Sequence, residues 1–171
     1  MSISLIKPSP KLKEQALAFK KEFIDHNEPI INGSELFDKI DSYEEWLAMI
    51  EANSNEKTVN PDWVVTDTFF AVNEDDRIVG MIDLRHALKG FLLDFGHSGY
   101  SVRPSERRKG YATEMLRQIL SYARKIGMPN VILSTKRSNE PSIKTILKNG
   151  GVYERSFDFE GETADVYRIV F

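Results

Sequence analysis

Apolar and polar residues alternate from Ser2 to Lys7, which predicts a short strand closed by Pro8 and Pro10. Leu12, Ala16, Phe19 and Phe23 then fall on one face of a helix. Asn27 to Ser34 is rich in turn formers, and Ser42 followed by Glu45 is a capping box ahead of Trp46, Leu47 and Ile50, so a short pair of helical segments is expected here. After a polar run from Asn53 to Pro61, Thr68 to Val72 and Arg77 to Leu84 read as an antiparallel hairpin around the acidic turn Asn73 to Asp76. Another strand is expected from Gly96 to Val102. It leads into a helix in which Ala112, Met115, Leu116, Ile119, Leu120 and Ala123 keep helical period until Gly127 and Pro129 stop it. Val131 to Thr135 reads as a buried strand, Asn139 caps a helix running through Lys148, and Gly150 and Gly151 end it. Val152 to Phe159 and Thr163 to Phe171 are the last strands. This order of elements predicts a mixed sheet with helices on both faces, an α/β chain of α+β type in a single domain over residues 1–171, with no linker or repeat.

Composition narrows the chemistry. The 171 residues contain no cysteine, which removes thiolate metal sites, Fe–S clusters and every cysteine nucleophile. His26, His86 and His97 lie too far apart for a helical zinc pair, so no metal is expected. With 23 basic and 26 acidic residues the net charge is −3, against a general nucleic-acid binder. No apolar run approaches the ~20 residues a bilayer needs and no signal peptide is visible, so a cytoplasmic setting is expected.

The most informative segment is Val102 to Thr113, V-R-P-S-E-R-R-K-G-Y-A-T. A strand passes through a loop into a helix whose first turn holds Gly110 and Ala112, so small residues and unpaired N–H groups can surround an anion. Arg103, Arg107, Arg108 and Lys109 concentrate positive charge on this turn of an acidic chain. A solvated basic loop opening an amphipathic helix fits the same residues. No glycine precedes a lysine as in a P-loop, and no G-x-G-x-x-G spacing is present.

Arg107, Gly110 and Ala112 match the [R/Q]-x-x-G-x-[G/A] pattern, with Val102 five residues before the arginine. Asn139 is followed by Ser142, and Gly150-Gly151-Val152 stands where a Gly-Phe is usual. On these residues the sequence closely resembles the GCN5-related N-acetyltransferase (GNAT) superfamily, over roughly Thr68 to Phe157. The resemblance implies a mostly antiparallel sheet splayed at an acyl-CoA site, and an N-acetyltransferase that uses acetyl-CoA as co-substrate. It implies that the backbone of Arg107, Arg108, Lys109, Gly110, Tyr111, Ala112 and Thr113 cradles the pyrophosphate, that Val102 pairs with the pantetheine, and that Asn139 and Ser142 hold the cofactor arm. A backbone N–H near Tyr100 would polarise the thioester carbonyl.

One departure stands out. Many members place a tyrosine, acid to the leaving thiolate, seven residues after the asparagine, and here that residue is Ile146. Tyr100 and Tyr153 are the candidate replacements. For the general base, Asp94 and His97 precede the thioester strand, and Glu28 could line the acceptor pocket. The expected partners are acetyl-CoA and an amine acceptor, a small molecule in preference to a protein amine, with neither nucleic acid nor membrane; a homodimer stays open. Without cysteine, direct attack of the amine within a ternary complex is expected. A non-catalytic acyl-CoA sensor and a phosphopeptide or nucleotide module are the alternatives.

Overall fold

The computed structural model describes residues 2–171. Strands β1 (Ile3–Ile6), β2 (Thr66–Asn73), β3 (Ile78–Arg85) and β4 (Tyr100–Val102) form one sheet in that order. Strands β5 (Asn130–Lys136), β7 (Glu162–Val170) and β6 (Val152–Phe159) form a second, in the order β5-β7-β6. Every registered strand pair is antiparallel.

Helices cover both faces, as the order of elements predicts. Helix α1 (Lys13–Asp25) and helix α2 (Tyr43–Asn53) pack Phe19, Phe23 and Trp46 against Phe70, Val72, Ile78 and Met81. On the other face, helix α4 (Tyr111–Lys125) buries Met115, Leu116 and Ile119 with Phe69, Ala71, Val79 and Ile82, joined by Ile146 of helix α5 (Glu140–Lys148). Phe69 and Phe70 therefore serve opposite cores, as the twofold repeat of a strand requires.

The structure corrects two expectations. Between Asn27 and Asn53 it has one helix, α2, and the preceding segment is irregular; the Ser42 cap is present, its Oγ accepting from Glu45 N at 3.2 Å. The strand expected from Gly96 is only Tyr100–Val102, following a helical turn, α3 (Leu92–Phe95). The reason is that this segment belongs to both sheets. Gly96 sits at φ +89° and bridges to Leu133, and His97 N donates to Ile132 O at 2.7 Å. The chain then crosses to β3, where Asp83 N donates to Gly99 O at 3.2 Å. Beyond that point β4 and β5 belong to different sheets, and the cleft opens between them. Among the described residues no helix is long and apolar enough to cross a membrane.

Candidate active site

A cleft of about 1750 Å3 runs from the N-terminus of α4, past β4 and β5, to the loops around Glu35 and Trp63. At its first end the loop before α4 forms a concave nest. Arg107 is extended, Arg108 has φ +63° and Gly110 has φ +83°, a conformation that suits glycine. The first helical bond is Glu114 N to Gly110 O, and the N–H groups of residues 108–113 have no protein acceptor among the described residues. A cluster of free donors at the positive end of a long helix is chemically able to hold an anion.

The basic side chains contribute less than the sequence suggests. Arg103 is buried, its Nε donating to Glu22 at 2.6 Å; Arg107 grips Glu28 through two bonds of 2.9 Å; Lys109 pairs with Glu106 at 2.7 Å. Of the four, only Arg108 lacks an ion-pair partner among the described residues. Lys109 faces Glu106 and does not line the cleft, whereas Arg107, Arg108, Gly110, Tyr111, Ala112 and Thr113 do.

The middle of the cleft is an open strand edge. His97 O and Gly99 O accept from Arg85 and Asp83, and Arg103 N donates to Val79 O, so the odd-numbered residues of this stretch pair with β3. By alternation the peptide groups of Tyr100 and Val102 point away from β3, into the cleft. Val102 O is met there by Arg107 Nε at 3.2 Å. Across the gap, Asn139 Oδ1 accepts from Ser142 N at 3.3 Å and caps α5, and Ser142 Oγ lies 2.9 Å from the Tyr100 hydroxyl. Burial pushes the Tyr100 phenol up to about 12, against the lowering effect of Ser142.

The expected bases lie elsewhere. Asp94, on α3, is half-exposed, pairs with Arg155 at 2.7 Å and does not line the cleft. His97 is buried behind the cleft wall, and its Nδ1 accepts from Ile132 N at 2.9 Å. Burial first, then the charges of Arg85 and Arg168, lower its pKa to about 4. Tyr153 lies on the exposed strand β6, bonded to Ser156, outside the cleft. Glu28 does line the cleft, held by Arg107.

The structure instead brings three charged residues together at the far end, none of them singled out by the sequence. Asp83 is fully buried, and its Oδ1 accepts from Gly99 N at 2.7 Å. Arg85 donates to Asp83 Oδ2 at 2.9 Å and to Gly96 O at 2.8 Å. Glu35, its side chain only 8% accessible, has its Oε2 3.8 Å from Arg85 Nη1, and its Oε1 accepts from Trp63 Nε1 at 2.9 Å. Burial first, and Asp83 second, push Glu35 up to about 9. This carboxyl is delivered by a strained turn, with Glu35 at φ +50° and Leu36 at φ +68°. The turn is clamped from the core, where Trp46 Nε1 donates to Ser34 O at 2.9 Å and Glu35 O at 3.1 Å. A Cβ on Gly33 would fall onto the Gly99 carbonyl, so glycine lets the loop seat directly on the entry to β4. Asp83 and Arg85, two residues apart on one face of an otherwise apolar strand, carried a signal in the sequence. Glu35 carried none.

A profile of the acetyltransferase (GNAT) domain matches residues 31–152. Comparison with curated protein sequences gives no match. Among solved structures, a microcin self-immunity acetyltransferase in complex with acetyl-CoA and AMP is 18% identical, covering 99% of this chain and 92% of its own, with a TM-score of 0.71. A spermidine N-acetyltransferase from Vibrio cholerae is 13% identical over 99% and 95% of the two chains, with a TM-score of 0.67. A ribosomal-protein α-N-acetyltransferase in complex with coenzyme A is 13% identical over 99% and 94%, also at 0.67.

Proposed function

The chain belongs to the GNAT acetyltransferase family, an N-acetyltransferase family that uses acetyl-CoA, and on that premise we propose that it acetylates a small amine by direct attack within a ternary complex, with the Glu35–Asp83 pair as general base. One observation carries this reading. A single cleft joins a nest of free N–H groups, an open strand edge and a buried carboxyl pair. These are the parts that phosphate binding, carbonyl polarisation and amine deprotonation need, in that order along the cleft.

The residues present fit acetyl-CoA. Residues 108–113 offer donors to a pyrophosphate, and the outward peptide groups of Tyr100 and Val102 offer a strand edge to the pantetheine amides. Asn139 and Ser142 border the same channel. When bound, the thioester supplies the acetyl group and a good leaving thiolate.

The remaining chemistry falls to the chain. An acceptor arrives largely as an ammonium and must lose a proton before its nitrogen can attack. Glu35, in its ionised form beside Asp83, takes that proton. Its raised pKa makes it a stronger base than a solvated carboxylate, better matched to an amine. The N–H of the outward-facing β4 edge at Tyr100 meets the carbonyl oxygen as negative charge develops on it. As the new C–N bond forms and the C–S bond breaks, the Tyr100 hydroxyl, held by Ser142, gives a proton to the sulfur, and the surplus proton left on the nitrogen restores the phenol. Absence of cysteine in the chain leaves no covalent acyl-enzyme route through a thiol.

The test is release of thiol from acetyl-CoA in the presence of an amine panel, read without background because the chain has no thiol of its own. Turnover with at least one amine is expected. Acetyl-CoA at ~100 times its Kd should also add about 2.7 kcal/mol of stability. An unchanged thermal melt in saturating acetyl-CoA, with ATP shifting it, would replace this reading with a nucleotide module.

A further inference from the structure

Deepening the acetyltransferase reading and resting on it, we propose that the acceptor is a monoamine carried by an aromatic ring, its amine at Glu35 and its ring on an aromatic wall that begins at Trp63. The wall is a continuous row. Trp63 and Phe91 have ring centroids 5.8 Å apart, Phe91 and Phe95 5.6 Å, and Phe95 stands edge-on to Phe157 at 5.8 Å and to Phe159 at 5.0 Å. All five line the cleft. Phe91 is 60% exposed even though it stands between two other rings, which leaves its free face open to the cleft.

Position separates this wall from a satellite core. Trp63 Nε1 donates to Glu35 Oε1 at 2.9 Å, so the first ring of the row is bonded to the proposed base. A ligand ring stacked near Trp63 and Phe91 needs only a short alkyl spacer to bring its amine to the carboxyls. The interaction geometry suits another aromatic ring, which gains from offset and edge-to-face contacts beyond its buried area.

Charge argues for one amine. Glu35 keeps its proton at neutral pH and Arg85 is bonded to Asp83 at 2.9 Å, so the site offers one basic position and no surplus negative charge. At the far end of the wall Lys136 Nζ stands 5.9 Å from the Phe159 centroid, its charge already met by Glu162 at 2.9 Å and Glu160 at 3.8 Å. Asp62 on the rim is exposed, and Lys89 Nζ, of opposite sign, is bonded to the carbonyl of the neighbouring Pro61. A second ammonium would therefore meet rings and no buried counter-charge along the wall, which disfavours a polyamine.

The experiment compares phenethylamine, ethanolamine and spermidine with the full chain. Thiol release gives kcat/KM for each, and calorimetry in the presence of coenzyme A gives phenethylamine binding independently of turnover. Phenethylamine should exceed both others by about 10-fold or more, and Phe91→Ala should cut that preference about 10-fold. Phe95→Leu, which keeps volume, is the second variant and should move the ratio in the same direction. Preference for spermidine, or an unmoved ratio in both variants, overturns the proposal. So does absence of phenethylamine binding, and turnover of ethanolamine in that case leaves the transferase reading intact. Phenethylamine binding that depends on Phe91, with no turnover of any amine, supports the wall and removes the transferase reading.

Discussion

The Tyr100 hydroxyl lies 2.9 Å from Ser142 Oγ, a bond that ties β4 to the first turn of α5 across the mouth of the cleft. Four residues along that helix, Ile146 is fully buried, and a Cβ on Gly151 would land on its Cγ2. The position where the family resemblance implies a tyrosine is thus committed to core packing, and the hydroxyl in the cleft comes from the facing strand.

Tyr100→Phe tests the acid role directly. It removes the proton donor while leaving the ring and the β4 backbone in place. Loss of about 10²-fold in kcat is expected, near the low end for general acids because a thiolate leaves without much help. Affinity for acetyl-CoA by calorimetry should stay within a few-fold. Full kcat in this variant would reduce Tyr100 to a tie between β4 and α5.

Glu35→Gln should trade activity for stability. A Glu35 pKa raised above its unfolded value of 4.5 means the folded state binds more protons, so its stabilising contribution is complete below pH 4.5 and is lost as pH rises towards about 9. Holding that proton at pH 7 costs ~3 kcal/mol at 1.36 kcal/mol per pH unit. Glutamine is neutral and can still accept from Trp63. The variant should melt several degrees higher at pH 7, while kcat/KM falls ~10² to 10⁴. Asp94→Asn, breaking a half-exposed pair with Arg155, should leave kcat near that of the wild type. Reversed outcomes in the two variants would move the base to α3.

Much of the local structure of the candidate cofactor half is legible in the sequence, because it depends on local signals. Gly110 and Ala112 announce a helix start with room for an anion, and Asn139 does cap its helix. What local reading misjudged was the charge of Arg103, Arg107 and Lys109. Their partners Glu22 and Glu28 lie about 80 residues away, and Glu106 sits within the loop itself. The acceptor half was nearly illegible. Glu35 belongs to an irregular turn whose conformation is imposed by Trp46 and by contact with Gly99, neither of which leaves a periodic trace. Asp94 and His97 were attractive for their proximity in sequence to β4. Their side chains are claimed instead by Arg155 and the backbone of β5.

Gly110→Glu should abolish acetyl-CoA binding. Gly110 has φ +83°, and the substitution strains that conformation and sets a carboxylate among the donors of residues 108–113. The fold should survive, since the loop lies outside both cores, with a stability loss of about 1–2 kcal/mol seen in a urea melt. Arg108→Ala, removing one exposed cation, should weaken binding only a few-fold. A folded Gly110→Glu protein with undiminished affinity would place the pyrophosphate elsewhere.

Two buried groups should give the stability curve opposing slopes. His97 is lowered to about 4 from 6.5, so the folded state binds fewer protons, and stability is lost as pH falls from 6.5 through about 4. Glu35 acts in the other direction, its contribution growing as pH falls from neutrality to 4.5. Each slope is about 1.4 kcal/mol per pH unit where the group is fully engaged, so between pH 4.5 and 6.5 the two largely offset in the wild type. Single variants should uncover them. Urea melts of Glu35→Gln should show stability falling with acid across this window, and melts of His97→Gln should show it rising, although the latter starts lower because Ile132 N loses its acceptor. Below pH 4 both variants should weaken together as Asp67 protonates. Burial raises that carboxyl, but hydrogen bonds from His86, Lys7 and Tyr122 outweigh burial and hold it below the usual range. Identical slopes in the two single variants would show that neither group is held in the protonation state its burial dictates.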